Sequence, residues 1–271
     1  MIVTTSLFDI GRSSWARYSR DTSSYLEHSK NMLSLRCKMV IYTTEDLRSH
    51  FEAERMKHDP SLSNTRIVCM PLSSIPYYDY LDRLNDLMKS EYFVTKVRNS
   101  GGQDGDRPEA NSALYNIIQF AKSKFVEKTI DSRFFDDDIH CWMDAGIYHH
   151  KFPQEFLNRV YPSKNESVLL DGKIHQFYKD FPRQSDLNKV VYYGSHEDVR
   201  IVGAWFGGTS AAMKLHSQRV NKVVDDSIRE GVISDDQNIY TVAYLERKDL
   251  YSLHDGSFAH SPWFAGLDFF L

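Results

Sequence analysis

Short β-branched runs alternate along the first half of the chain with longer stretches whose apolar residues recur at helical spacing. IVTTSLF (2–8) reads as a first strand, MVIYTT (39–44) as a second and TRIVCM (65–70) as a third. Between the first two, the stretch from Trp15 to about Leu35 sets Tyr18, Thr22, Tyr25, Leu26, Met32 and Leu33 roughly on one helical face. A polar helix is expected near 45–58. This β-α-β-α-β succession predicts a mostly parallel sheet covered by helices. Pro71 and Pro76 interrupt the pattern, and 77–97 reads as a helix plus irregular chain.

The segment NSGGQDGDRPEA (99–110) is the most loop-like in the chain, so a mobile loop is expected near 99–108. An amphipathic helix follows over 109–131, carrying Leu114, Ile117, Ile118, Phe125 and Val126, and it leads into the strand-like IHCWMDAG (139–146). ESVLLDG and KIHQFYK read as two further sheet elements around Asp171-Gly172. VVYYG, IVGAWFGGTSAAM, a helix over about 210–230 and SDDQNIYTVAYLERK complete the second half. The aromatic tail, residues 252–271, carries too many large apolar groups for a free terminus and is expected to pack back over the site. One domain spanning 1–271 is the organisation this predicts.

Composition narrows the function classes. The 271 residues are 41% hydrophobic and 26% charged, ordinary globular values that exclude a disordered or fibrous chain. The 33 Lys+Arg against 37 Asp+Glu give a net charge of −4, so no nucleic-acid-binding surface is expected. Cys37, Cys69 and Cys141 are odd in number and widely spaced, which reads as buried thiols rather than disulfides. With no basic leader and no run of eighteen apolar residues, the sequence reads as soluble and cytoplasmic.

Several places could carry chemistry. Asp144 ends a strand in CWMDAGI, at the carboxyl edge where open α/β sheets bind ligands, though a turn or cap role is the commoner one for a lone strand-end Asp. Gly207 and Gly208 permit close backbone approach, and Thr209 can cap the next helix. In SDDQ, Asp235 fits a helix N-cap, which leaves Asp236 available as a base or sugar-hydroxyl ligand. His254 could join Asp144 on a metal, and imidazole favours Mn²⁺ over Mg²⁺. Arg12, Arg17, Arg98, Arg107, Lys122 and Lys124 are basic residues from which a diphosphate pocket could draw. No P-loop, GxGxxG, GxSxG or HExxH is present.

TTSLFDIGR (4–12), RPEANSALYNIIQFAKSKF (107–125), CWMDAGI (141–147), DGKIH (171–175), WFGGT (205–209) and DDQ (235–237), in this order, resemble the bacterial HtrL/YibB family. That family is similar to glycosyltransferases of the GT-A fold, so the resemblance implies an α/β, GT-A-like (Rossmann-like) mixed sheet, mostly parallel and flanked by helices. WFGGT is similar to the FGGT of blood-group-type transferases, and HDGSFAHSPW resembles the glycogenin-like segment whose His binds manganese. Gly146 stands where the GT-A DxD motif has its second acid.

The resemblance implies transfer of a sugar from a nucleotide diphosphate sugar, a UDP-sugar by default, to a glycan or other hydroxyl acceptor. Asp144 and His254 would hold the metal, while Arg12 and Lys124 neutralise the diphosphate. Thr5, Asp9 and Tyr42 would lie near the nucleoside, and Gly207, Gly208 and Thr209 near sugar or acceptor. Asp236, with Asp235 as its rival, would be the base. Two other classes fit the same residues: a non-catalytic nucleotide-sugar or glycan-binding protein, and a metal-dependent phosphoester or nucleotide-sugar hydrolase using Asp144, His149 and His150.

Overall fold

A computed structural model describes residues 1–15, 19–95, 107–147, 154–180, 199–233, 235–257, 259 and 264–271. Seven strands form one mixed sheet: β1 (Ile2–Ser6), β2 (Lys38–Thr43), β3 (Thr65–Cys69), β4 (Ile139–Met143), β5 (Ile174–Asp180), β6 (Val199–Thr209) and β7 (Tyr251–Asp255). Their spatial order is β3-β2-β1-β4-β6-β5-β7. β1, β2, β3 and β4 run parallel, β6 runs antiparallel to both its neighbours β4 and β5, and β7 returns parallel to β5. The expected α/β architecture, a mostly parallel sheet flanked by helices, is the one observed.

The helices are α1 (Thr22–Leu33), α2 (Arg48–Met56), α3 (Leu81–Lys89), the single turn α4 (Glu91–Phe93), α5 (Pro108–Asn111), α6 (Ala113–Ser132), α7 (Ser210–Arg229), α8 (Asp236–Glu246) and α9 (Ala265–Phe270). Side chains alternate across each strand, so the sheet separates two cores. On one face Trp142, Phe206, Phe125, Ile117, Val220 and Ile239 pack β4 and β6 against α6, α7 and α8. On the other, Val3, Ile41, Cys141, Met143 and Trp205 of the sheet share a core with Met32 of α1, Phe51 of α2 and Leu267 of α9.

Caps fix where the helices begin. Asp21 accepts from Ser24 N at 2.7 Å, so α1 starts at Thr22 rather than near Trp15 as the apolar spacing predicts. Ser112 accepts from Tyr115 N at 3.1 Å with an extended backbone, which splits the helix expected over 109–131 into α5 and α6. Ser90 does the same between α3 and α4. ESVLLDG is a 3₁₀ turn over Glu166–Leu170 instead of a strand, because only Leu169 buries and Gly172, at φ +79°, turns the chain at once.

The tail, expected over the site, packs through its described α9 onto Trp205 and Phe177 on the second face, and none of its described residues lines the cavity at the carboxyl edge of β1 and β4. The expected loop at 99–106, the strand VVYYG (190–194), Arg17, Arg98, His149 and His150 lie outside the described residues. Among the described residues no helix is long and apolar enough to cross a membrane, and the three cysteines are free thiols.

Candidate active site

A cavity of about 520 Å³ opens at the carboxyl edge of β1 and β4, a volume suited to a small organic ligand. Its floor is an ion cluster. Lys122 Nζ donates to Asp236 Oδ2 at 2.6 Å, to the Gly203 carbonyl at 3.2 Å, and lies 2.9 Å from Asp144 Oδ1. Trp142 Nε1 donates to the same Asp144 oxygen at 2.6 Å. The Lys122 side chain is 3% exposed, Asp236 10% and Asp144 30%, so Asp144 is the member most open to the cavity.

Each arm of the cluster has a local cause. Lys122 shares a face of α6 with Tyr115, Ile118 and Gln119, at the i, i+3, i+4, i+7 spacing of one helical stripe, and all four line the cavity. Asp144 follows β4 directly, its own N–H bonding to the Ala204 carbonyl at 3.0 Å, which holds the strand end beside β6. Asp236 opens α8 while Asp235 caps it, accepting from Asn238 N at 2.8 Å. Gly203 is required on β6, because a Cβ there would sit 2.1 Å from Asp236 Oδ2.

Burial is the strongest influence on Lys122 and opposes its charge, yet Asp144 and Asp236 together outweigh it and raise its pKa, so the ammonium is retained. Burial, then the neighbouring charge of Asp236, raises Asp144 against the pull of Lys122 and Trp142. Glu109, on α5, completes the acidic lining. Burial lifts its carboxyl to about 7, helped by Asp235 and Asp236, and among the described residues its Oε2 has no hydrogen-bond partner. Gln237 Oε1 is a second buried acceptor on the same wall without a partner there.

The rest of the lining is cationic and aromatic. The Arg12 guanidinium lies 5.0 Å from the Trp15 ring centroid, 5.3 Å from Tyr25 and 5.5 Å from Tyr115, and Arg20 lies 5.0 Å from Tyr25. Arg12 is placed by the turn after β1. Asp9 accepts from Gly11 N at 2.8 Å and from Thr22 Oγ1 at 2.6 Å, and Gly11 takes the left-handed φ of +73° that glycine adopts without strain.

Of the residues singled out from sequence, Asp9, Arg12, Arg107, Lys122, Asp144 and Asp236 line this cavity. Thr5, Tyr42, Lys124, Gly207, Gly208, Thr209 and His254 do not. Thr5 is buried inside β1, and Tyr42 packs on Phe125 at 4.7 Å with its hydroxyl 3.1 Å from Thr129. Lys124 points elsewhere, pairing with Glu127 at 2.8 Å, because two residues along a helix rotate about 200° away from Lys122. Gly207, Gly208 and Thr209 lie opposite Cys141, His140 and Ile139, at the edge of the sheet remote from Asp144. There Gly207 and Gly208 make room for Trp205 and the Lys173 backbone, and Thr209 caps α7 through Ala212 N.

His254 is not a partner of Asp144. It lies on β7, three strands from β4, or about 14 Å at ordinary strand spacing. Its Nε2 lies 2.9 Å from His175 Nδ1, and the other His175 nitrogen lies 2.9 Å from Asp171 Oδ1. The residues present do not fit the manganese site that the resemblance implies. Gly146 supplies no carboxylate, Lys122 and Trp142 already occupy Asp144, and no group of three metal-ligating side chains converges among the described residues. Sequence reasoning passed over Glu109, Arg20, Gly203 and Gln237, and it chose Lys124 over Lys122.

The fold and cavity define an α/β protein with an edge-of-sheet site built from arginines, aromatic rings and a buried lysine between two aspartates. The chain belongs to the family described as "Bacterial protein of unknown function (HtrL_YibB)", which matches residues 1–270. It is 22% identical over 267 residues to Protein HtrL of Escherichia coli (strain K12), covering 93% of this chain and 86% of that protein. Among solved structures it matches mouse xyloside xylosyltransferase 1, apo form, at 13% identity and a TM-score of 0.45, covering 93% of this chain and 84% of that one.

Proposed function

We propose that this protein is a glycosyltransferase that takes a sugar from a nucleotide diphosphate sugar and passes it to a hydroxyl acceptor. The observation that carries the reading is one cavity, at the carboxyl edge of β1 and β4, holding arginines stacked on aromatic rings beside the half-buried Asp144 carboxylate. Guanidinium groups match the oxygens of a diphosphate, and the rings offer a face to a base or sugar. UDP is the nucleotide to test first, as the resemblance implies, with a glycan as the acceptor class.

The chemistry divides among named groups. Arg12 and Arg20 take the charge that grows on the diphosphate as the anomeric carbon–oxygen bond breaks and its electron pair leaves with phosphate. Asp144 accepts hydroxyls of the donor sugar. Asp236 is committed to Lys122 at 2.6 Å, so the proton of the acceptor hydroxyl goes to Glu109 as that oxygen bonds the anomeric carbon. A carboxyl lifted to about 7 is partly ionised at neutral pH and has an affinity for protons matched to the task. This replaces Asp236 and Asp235 as the base.

A thermal-shift screen of UDP, GDP, CMP and their sugars tests the reading, since a ligand of the folded form raises Tm by mass action. The expected result is a rise with one nucleotide family, lost in Arg12→Ala. No rise with any nucleotide diphosphate would overturn it.

A further inference from the structure

Beside the strand-end carboxylate Asp144, the ammonium of Lys122 fills the space between two acids. Lys122 Nζ has three protons, and Asp144, Asp236 and the Gly203 carbonyl each accept one, at 2.6–3.2 Å. All four groups come from different elements: α6, the end of β4, the start of α8 and β6. The glycine at 203 is sterically tied to this arrangement through Asp236, so the backbone of β6 is shaped around the pair. A buried charge so fully matched is expensive to remove and has no need of further partners.

We infer that Lys122 is a built-in cation standing where a divalent metal would bind, so that this site takes a nucleoside diphosphate without a metal ion. Two carboxylates and a carbonyl are oxygen ligands of the kind hard divalent cations take, but the ammonium fills the space among them. The charge of the diphosphate then falls to Arg12 and Arg20. Lys122 is a positioning residue, acting through Asp144. This part of the inference rests on the transferase reading; the occupation of the cation position by Lys122 does not.

The test uses Mn²⁺ alone, so it is independent of any nucleotide. In wild-type protein the electron paramagnetic resonance signal of free Mn²⁺ is expected to stay undiminished at protein concentrations of tens of micromolar, and Tm is expected not to respond to Mn²⁺. Lys122→Ala vacates the position between the two acids, and it is expected to bind Mn²⁺ at least about tenfold more tightly than wild type, with a Tm that rises on adding the ion. Lys122→Arg keeps the charge and is expected to stay silent. Wild-type protein that binds Mn²⁺, and loses it in Asp144→Asn, would overturn the inference, and this measurement decides even if Lys122→Ala does not fold. A folded Lys122→Ala that ignores Mn²⁺ would overturn it as well. If Mn²⁺ behaves as expected but no nucleotide binds, the built-in cation stands and the transferase reading falls.

Discussion

Two clusters of acidic and basic side chains sit on the same sheet. At the edge of β4, Lys122 is held between Asp144 and Asp236, beside a cavity. Across β5 and β7, His254, His175 and Asp171 form a chain of 2.9 Å contacts, with the two imidazoles stacked 5.2 Å apart and Phe177 and Phe269 packed on His254. Both pair an acid with a basic side chain, yet only the first lines the cavity at the edge of β1 and β4. The second contains His254, the residue a motif would choose. Chemistry-bearing residue types are therefore not enough; the strand order decides which of them share one cavity.

The sharpest way to break this contrast is to neutralise one member of each cluster. Lys122→Met leaves Asp144 and Asp236 facing each other without compensation and is expected to cost about 3–5 kcal/mol, the range for stripping one partner from a buried pair. Asp171→Asn, whose acid is 43% exposed, is expected to cost under about 1 kcal/mol. Urea denaturation of both variants checks it, and equal losses would erase the distinction between the clusters.

A smaller change sharpens the same point from the backbone. Gly203→Ala drives a methyl group into Asp236 and is expected to cost about 1–3 kcal/mol. It should also weaken nucleotide binding, whereas Gly231→Ala, outside the cavity lining and strained only by its own φ of +78°, should lose stability alone. Loss of stability in Gly203→Ala with nucleotide binding intact would separate the cluster from the ligand site.

Glu109 gives the cavity a pH signature. Its folded pKa, about 7, lies above the ordinary 4.5, so between those values the folded protein holds a proton that the unfolded chain has released. The group therefore favours folding in acid, and its contribution declines as pH rises from about 4.5 through 7, by on the order of 1–3 kcal/mol. Glu109→Gln should remove that decline, read from urea midpoints at successive pH values, and lower transfer by about 10²–10⁴-fold. Unchanged turnover would end its role as base.

What the sequence made legible follows from what is local. Strands at 2–8, 39–44, 65–70 and 139–146 are visible because β-branched runs between turn residues need no tertiary information. Asp144 is visible because a strand end fixes its edge. Lys122 also left a signal: it falls four residues after Ile118 and three before Phe125, on the apolar stripe of α6, where a charge must bury with a partner. Helix phase separates it from Lys124. Gly203 left none, since its need for the missing Cβ arises from Asp236, 33 positions on. Glu109 was hidden in a segment whose composition reads as loop, and the distance of His254 from Asp144 is a property of the order β4-β6-β5-β7, which no single strand declares.

The smallest expected effect belongs to His254. His254→Phe keeps an aromatic ring on Phe177 and Phe269 while removing the contact with His175, so at pH 7 the cost should stay under about 1 kcal/mol. Acid alters the comparison. Burial, then the charge of His175, lowers His254 to about 4, so its neutral form supports folding above the unfolded value of 6.5 and that support is lost as pH falls toward 4. His140, at about 4, and His216, at about 3, titrate in the same sense in both proteins and cancel in the difference. The variant should therefore lose less stability than wild type between pH 6.5 and 4, while nucleotide and Mn²⁺ responses stay those of wild type. If His254→Phe instead abolished nucleotide binding, the second cluster would be part of the site, and strand order would have lost its authority over which acids and bases act together.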